Sequence, residues 1–332
     1  MYPTSPLRTG LGGYSSRLLK GMNQINVQFE DIPVHKREFS FKGKPVFGNM
    51  SLRFGTLLSR PRGNVVHSLS PEVIHPRTNI VTVHDVIPLK MPEVFSSTYY
   101  RSRGTKMVFG ELNRIEQLIV FSKSIKKEVV ELAGVEADRV NIVHQSVDHE
   151  LFYPEPDENF KVKDKKLILT IGDLNPRKRF DLVFNALGGN AEYQIIHIGP
   201  TNAWERRRKE LLDIANRYDN IKMIGEVDQN TLRKYLSTAD LLIHISQAEG
   251  FGSTPVEAMA CGTNVLVNDL EIFKETLEDR AFYTTMKIDE IAKQADYAIK
   301  NKKEQSDLIG YSMNYSVGKM AENTNEVYKK IH

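Results

Sequence analysis

Two carboxylates eight residues apart, Glu249 and Glu257, bracket a glycine turn and a helical run in the stretch EGFGSTPVEAMACG. Gly250 and Gly252 flank Phe251, so the backbone can turn sharply and approach a ligand with no Cβ in the way. Thr254 is expected as the N-cap and Pro255 as the first helical residue, where a missing N–H costs nothing. The N–H groups of that first turn, with the helix dipole behind them, suit an anion. Thr254-x-x-Glu257 also reads as a capping box, in which Glu257 only satisfies backbone donors. Glu249 has no such explanation. It follows the apolar run Leu241 to Ser246, and open α/β sheets bind ligands at the carboxyl ends of their strands. Two carboxylates framing a helix start suit a ligand with hydroxyls at both ends and phosphate in the middle, which describes a nucleotide-sugar.

A second strand end carries cations. The run LILTIG (167–172) leads into Asp173-Leu174-Asn175-Pro176-Arg177-Lys178, and two adjacent cations between a strand and a helix suit a diphosphate. His84 and Asp85 end a third apolar run, NIVTV, where a lone histidine is either structural or part of a site. A fourth signal lies near the start of the chain. A glycine loop, Thr9 to Gly13, precedes a helical run from Tyr14 to Met22. Pro3 and Pro6 keep residues 2–6 from forming the regular strand that should come before such a loop, so the first sheet is expected to lack it.

The elements that must position these residues alternate. Apolar runs at 26–29, 64–69, 79–83, 117–121, 140–143, 167–172, 193–199, 221–225, 241–246 and 264–269 are separated by helical stretches. That order predicts parallel sheets in an α/β fold. A chain of 332 residues has room for about two domains of ordinary size. The net charge of +3 is too mild to imply a nucleic-acid partner. One cysteine, Cys261, excludes an internal disulfide and is expected to be a small core residue. There is no metal-ligand cluster. With no signal peptide and no apolar run near the length of a membrane span, the expected location is cytoplasmic.

Taken together, EGFGSTPVE, the Arg177-Lys178 loop and HDVIPLKMPEVF resemble retaining glycosyltransferases of family 4, with their E-x7-E motif. The resemblance covers nearly the whole chain. It implies the GT-B fold, with two Rossmann-like parallel-sheet domains facing a central cleft. Residues 1–152 would form the acceptor-side domain, 153–166 a linker, 167–310 the nucleotide-sugar-binding domain, and 311–332 a helix crossing back to the first. By the same resemblance Glu249, Gly250, Phe251 and Gly252 contact the donor sugar, and Ser253 and Thr254 hold the diphosphate. Glu257 binds the ribose, Arg177 and Lys178 face the phosphates, and Gly12 and Gly13 belong to the donor site. His84 lies between donor and acceptor, so His84, Glu249 and Lys178 are the expected catalytic set.

The implied activity is metal-independent, retaining hexosyl transfer from a nucleotide-sugar to a glycan, lipid-linked or small-molecule hydroxyl, with no cofactor. The alternatives are a GT-B phosphorylase or sugar-nucleotide epimerase, or a catalytically silent nucleotide-sugar-binding subunit. The family includes enzymes that glycosylate lipids. The cations Arg101, Arg103, Lys106, Lys123, Lys126 and Lys127 therefore make the inner membrane surface a candidate partner. Asp173 stands where many members carry an Arg, and it is expected to turn away from the phosphates. Replacing Glu249 is expected to stop transfer but leave stability nearly intact. Replacing Glu257 should also cost the capping box, about 1 kcal/mol.

Overall fold

Most of the apolar runs become strands of two parallel sheets, because strands covered on both faces carry unbroken runs of Val, Ile and Leu. The structure is a computed structural model that describes residues 10–30, 40–41, 44–45, 61, 63–94, 103–201 and 205–331. Residues 2–6, and with them the question of a first strand, lie outside the described residues, as does Arg101. The chain forms two units, residues 1–146 with 317–332 and residues 147–316. The switch points therefore fall at Ser146/Val147 and Ser316/Val317, where the sequence suggested 152 and 311.

In the first unit, helix α1 (Gly10–Gln24) leads to a small antiparallel ladder of β1 (Ser40–Phe41) and β2 (Lys44–Pro45). The main sheet follows, with β3 (His67–Ser68), β4 (Ile80–Thr82), β5 (Gln117–Val120) and β6 (Val140–Ile142) paired in that order, all parallel. The strand expected at 26–29 is not formed. Asn26 adopts a left-handed φ of 58°, and Val27 N–H bonds back to the Met22 carbonyl at 3.0 Å. Those residues terminate α1 and cannot also extend.

The last helix, α10 (Val317–Tyr328), packs on α1. A Cβ on Gly21 would stand 2.7 Å from the Ala321 Cβ, so only glycine allows this approach. A buried polar chain ties these helices to the sheet. The Tyr328 hydroxyl lies 2.9 Å from His67 Nδ1, His67 Nε2 lies 2.8 Å from Thr82 Oγ1, and Thr82 Oγ1 lies 3.1 Å from the Tyr14 hydroxyl. Each member has a partner, which makes a buried polar chain tolerable.

The second unit is a six-stranded sheet: β7 (Lys166–Ile171), β8 (Tyr193–Ile198), β9 (Ile221–Gly225), β10 (Leu241–His244), β11 (Val265–Asn268) and β12 (Phe282–Thr284). Its spatial order is β9-β8-β7-β10-β11-β12, and every pair is parallel. That is the doubly wound order 3-2-1-4-5-6, which reverses direction between β7 and β10. The loops leaving those two strands carry 172–178 and 245–252. Geometry alone therefore brings Arg177, Lys178 and Glu249 to one crevice. The expected linker, 153–166, is packed onto this unit. Glu155 and Asp157 donate backbone N–H bonds to Ser237 and Thr238 at 2.9 and 2.8 Å, and Arg233 lies over the Tyr153 ring at 4.3 Å. Cys261 is fully buried, as expected, and burial pushes its thiol up to about 12.

Among the described residues no helix is long and apolar enough to cross a membrane.

Candidate active site

The crevice in the second unit is built by two short loops that hold each other. After β7, Asn175 caps a single turn at Pro176–Lys178 by accepting the Arg177 N–H at 3.1 Å, which directs both cations to one side. After β10, the chain is held by Asn268. Its side-chain oxygen accepts the Ser246 N–H at 2.8 Å, and its amide donates to the Ser246 carbonyl at 2.9 Å. This side chain mimics one more rung of the ladder between β10 and β11. The two loops then meet through the Gln247 N–H, which bonds the Arg177 carbonyl at 2.8 Å.

Glu249 sits at the centre. Its Oε1 accepts from Arg177 Nη1 at 2.8 Å, Lys178 Nζ at 2.7 Å and His244 Nε2 at 3.1 Å. Arg177 Nη1 also reaches Ser246 Oγ at 3.1 Å and the Ala248 carbonyl at 2.6 Å. The side chains of Glu249, Lys178 and His244 are 9%, 10% and 2% exposed, so these contacts act in a medium far less screening than water. Burial alone would raise the Glu249 carboxyl, but the charges of Arg177 and Lys178 and the His244 bond hold it well below the ordinary range. Burial lowers the Lys178 ammonium, with Glu249 and Asp173 working against that shift. Asp173 thus favours the charged form of Lys178.

Helix α6 (Ser253–Ala260) starts earlier than the sequence implied. Its N-cap is Gly252, at φ 84° and ψ 52°, so Ser253 and Thr254 are the first two helical residues and Pro255 the third. Thr254 is not the cap, and Thr254 and Glu257 do not form a capping box. The cause is packing: a Cβ on Gly252 would stand 2.7 Å from the Phe273 ring, so this position must be a left-handed glycine, and the helix begins right after it. Pro255 still falls in the first turn, where its missing N–H is harmless. The Phe251 ring is buried at 2% and packs edge-on against Tyr315 at 5.4 Å, leaving only its main chain for a ligand. Glu257 is half-buried on the helix.

His84, Gly12 and Gly13 belong to the first unit, and Glu249 belongs to the second. Gly12 and Gly13 are helical rather than looped, since α1 already begins at Gly10. A Cβ on Gly13 would come within 3.1 Å of Arg17 Nη1. The His84 Nε2 lies 2.8 Å from the Leu69 carbonyl, which can only accept, so Nε2 carries the proton. Tyr14 and Phe121 stand edge-on to the ring at 4.9 and 5.0 Å. Burial lowers its pKa to about 4, which leaves a neutral imidazole whose Nδ1 is an acceptor.

Comparison with known proteins bears on what these sites serve. Residues 154–314 match the family model of glycosyl transferases group 1. This match supports a glycosyltransferase. The chain is 28% identical over 241 residues to the O-antigen chain mannosyltransferase RfbU of Salmonella typhimurium, covering 72% of this chain and 65% of that one. It is 27% identical over 175 residues to the D-inositol 3-phosphate glycosyltransferase of Mycobacterium tuberculosis (strain ATCC 25177 / H37Ra), covering 50% of this chain and 36% of that one. The chain thus spans less than two thirds of the length of either relative. Sucrose-phosphate synthase from Thermosynechococcus elongatus superposes with a TM-score of 0.80 at 15% identity, over 97% of this chain and 93% of that one. Anabaena Alr3699/HepE, solved in complex with UDP and glucose, superposes with a TM-score of 0.73 at 18% identity, over 93% and 88%. These likenesses show the GT-B fold.

Sequence reasoning missed three members of the crevice: His244, Asn268 and Ser246. A histidine at the end of an otherwise apolar strand was the available signal, since such a side chain needs a partner when buried. The histidines also predict an acid sensitivity. Burial lowers His67 to about 3, and His197 and His244 to about 4, from 6.5. The unfolded chain then takes up these protons first, so stability is fully present above pH 6.5 and is lost as pH falls toward the folded values. Each group contributes at most about 1.4 kcal/mol per pH unit in that window. Glu249, held below 4.5, adds its own loss only in more acid solution. Urea unfolding at about pH 7.5 and about pH 5.5 should show a clear fall in midpoint; equal midpoints would mean that these rings are protonated in the fold.

Proposed function

We propose that this protein is a metal-independent, retaining glycosyltransferase that passes a hexose from a nucleotide-sugar to a hydroxyl of a glycan, lipid-linked or small-molecule acceptor. The observation that carries the reading is Glu249 gathered with Arg177 and Lys178 at the switch point of the second sheet. In the donor complex Arg177 and Lys178 take the diphosphate, joined by the amides of Ser253 and Thr254. Two cations with a helix start can neutralise the leaving group electrostatically, so no metal or cofactor is assigned a part. Glu249 and the main chain of Gly250, Phe251 and Gly252 take the sugar, and Glu257 the ribose. Gly12 and Gly13 are assigned to the donor as well, through the first turn of α1. His84 offers Nδ1 to a substrate hydroxyl. Retention follows from front-face substitution, in which the leaving phosphate assists the acceptor. The names of the relatives favour sugar transfer, and the Anabaena protein was solved with UDP and with UDP-glucose.

A thermal-shift panel of UDP, GDP, ADP and their sugars tests the donor, since a ligand that binds the folded state raises stability by mass action. One nucleotide family should raise the melting temperature, and its sugar form should be turned over. A flat panel with no turnover would overturn the proposal. Association with an anionic membrane surface is a further part of it, although Lys126 bonds the Val140 carbonyl at 2.7 Å and Lys127 pairs with Glu131 at 3.9 Å. Vesicle flotation without salt-sensitive binding would remove that part alone.

A further inference from the structure

His244 is an odd residue for its place. β10 lies between β7 and β11, and its neighbours Leu241, Leu242, Ile243 and Ile245 are at most 1% exposed. An aliphatic side chain would fill this position without any polar cost, whereas an imidazole must find a partner or lose stability. The partner it finds is Glu249 Oε1, at 3.1 Å. Lys178 Nζ is also near, at 3.4 Å from Nε2, but its shorter contact is to Glu249 at 2.7 Å. A carboxylate oxygen only accepts, so the arrangement that serves all three groups has His244 Nε2–H donating to Glu249. The ring is held in turn by Phe273, edge-on at 5.7 Å, and Phe273 is the ring that leaves no room for a Cβ on Gly252. One aromatic side chain thus braces both His244 and the glycine before α6.

The three donors on Glu249 differ in what a donor substrate would do to them. Arg177 and Lys178 are cations, and on the function proposed above a diphosphate competes with Glu249 for them. His244 is an uncharged ring fixed in a central strand, and a phosphate has no comparable hold on it. We infer that His244 is a positioning residue for Glu249, keeping the carboxylate at the donor sugar when Arg177 and Lys178 turn to the diphosphate. This inference rests on the glycosyltransferase reading of the same crevice. It predicts that His244 matters for the sugar and not for the nucleotide.

The test uses the full chain with three variants, His244→Leu, His244→Asn and His244→Gln. Gln can reach Glu249 with an amide N–H much as Nε2 does, whereas the shorter Asn stops short of it. UDP and GDP are titrated by calorimetry, and turnover is measured with UDP-glucose and GDP-mannose. In His244→Leu and His244→Asn, kcat should fall by about 10²-fold, the scale of a misplaced catalytic group, while nucleoside diphosphate affinity stays within about threefold. His244→Gln should recover most of the lost kcat. Unchanged kcat in His244→Leu would overturn the inference. So would equal kcat in the Asn and Gln variants, a comparison that holds even if the Leu variant fails to fold. A loss of nucleotide affinity that tracks the loss of kcat would mean that His244 only braces the loops. Wild-type protein that binds neither nucleotide and turns over neither sugar would instead strike the donor reading itself, and this inference with it.

Discussion

In Glu249→Ala, turnover falls by about 10²–10³-fold and the melting temperature drops by roughly 10 °C. The first effect is what a carboxylate in contact with the donor sugar would produce. The second comes from what stays behind. Arg177 and Lys178 are 17% and 10% exposed and both lie within 2.8 Å of the same oxygen, so deleting it strands two cations in a poorly hydrated crevice. Breaking a buried pair in this way costs about 3 kcal/mol or more, because the partner's desolvation is no longer offset. The sequence alone suggests that replacing Glu249 leaves stability nearly intact; its 9% exposure and its two cationic partners argue for a cost instead. Glu249→Gln should retain much of the stability, since an amide oxygen still accepts, but not the turnover. Calorimetric melting with donor hydrolysis separates the two effects. A Glu249→Ala protein as stable as wild type would mean that the cations find other partners.

Lys178→Ala should lower turnover by at least about a hundredfold, the worth of one charge-assisted contact of about 3 kcal/mol in a water-poor site. Here the stability effect is smaller than for Glu249→Ala. Glu249 keeps Arg177 at 2.8 Å and His244 at 3.1 Å, so no charge is stranded. Asp173→Ala serves as the contrast. Asp173 acts on Lys178 only by favouring its charged form, so its loss should be mild in both measurements. Near-normal turnover in a folded Lys178→Ala protein would remove the diphosphate from this loop.

The sheet of the second unit was legible because five of its six strands are short runs rich in aliphatic residues and ended by glycine or a polar residue. β12 was not, since Phe282–Thr284 is three residues long and only Ala281 separates it from Glu278-Asp279-Arg280. The start of α6 misled for a different reason. Thr254-x-x-Glu257 has the spacing of a capping box, and nothing local reveals that Phe273, twenty-one residues beyond Gly252, forces a left-handed glycine there. Glu249 and Lys178 could be picked out by chemical type, but their contact follows from the strand order, which no local pattern prints. His244 and Asn268 lay hidden in apolar runs, where a polar side chain reads as an exception until its partner is seen.

The polar chain from Tyr328 through His67 and Thr82 to Tyr14 has a consequence for the order of biosynthesis. The second unit is one continuous segment, 147–316, and every strand of its sheet has been synthesised before Val317 is added. The first unit is translated earlier but stays unfinished, because α10 supplies both the surface that covers α1 and the phenol that bonds His67. Domains usually mature on the ribosome from the N-terminus onward. In this chain the half made first must wait for residues 317–328, and until then His67 lacks its Tyr328 partner and the small face around Gly21 stays uncovered.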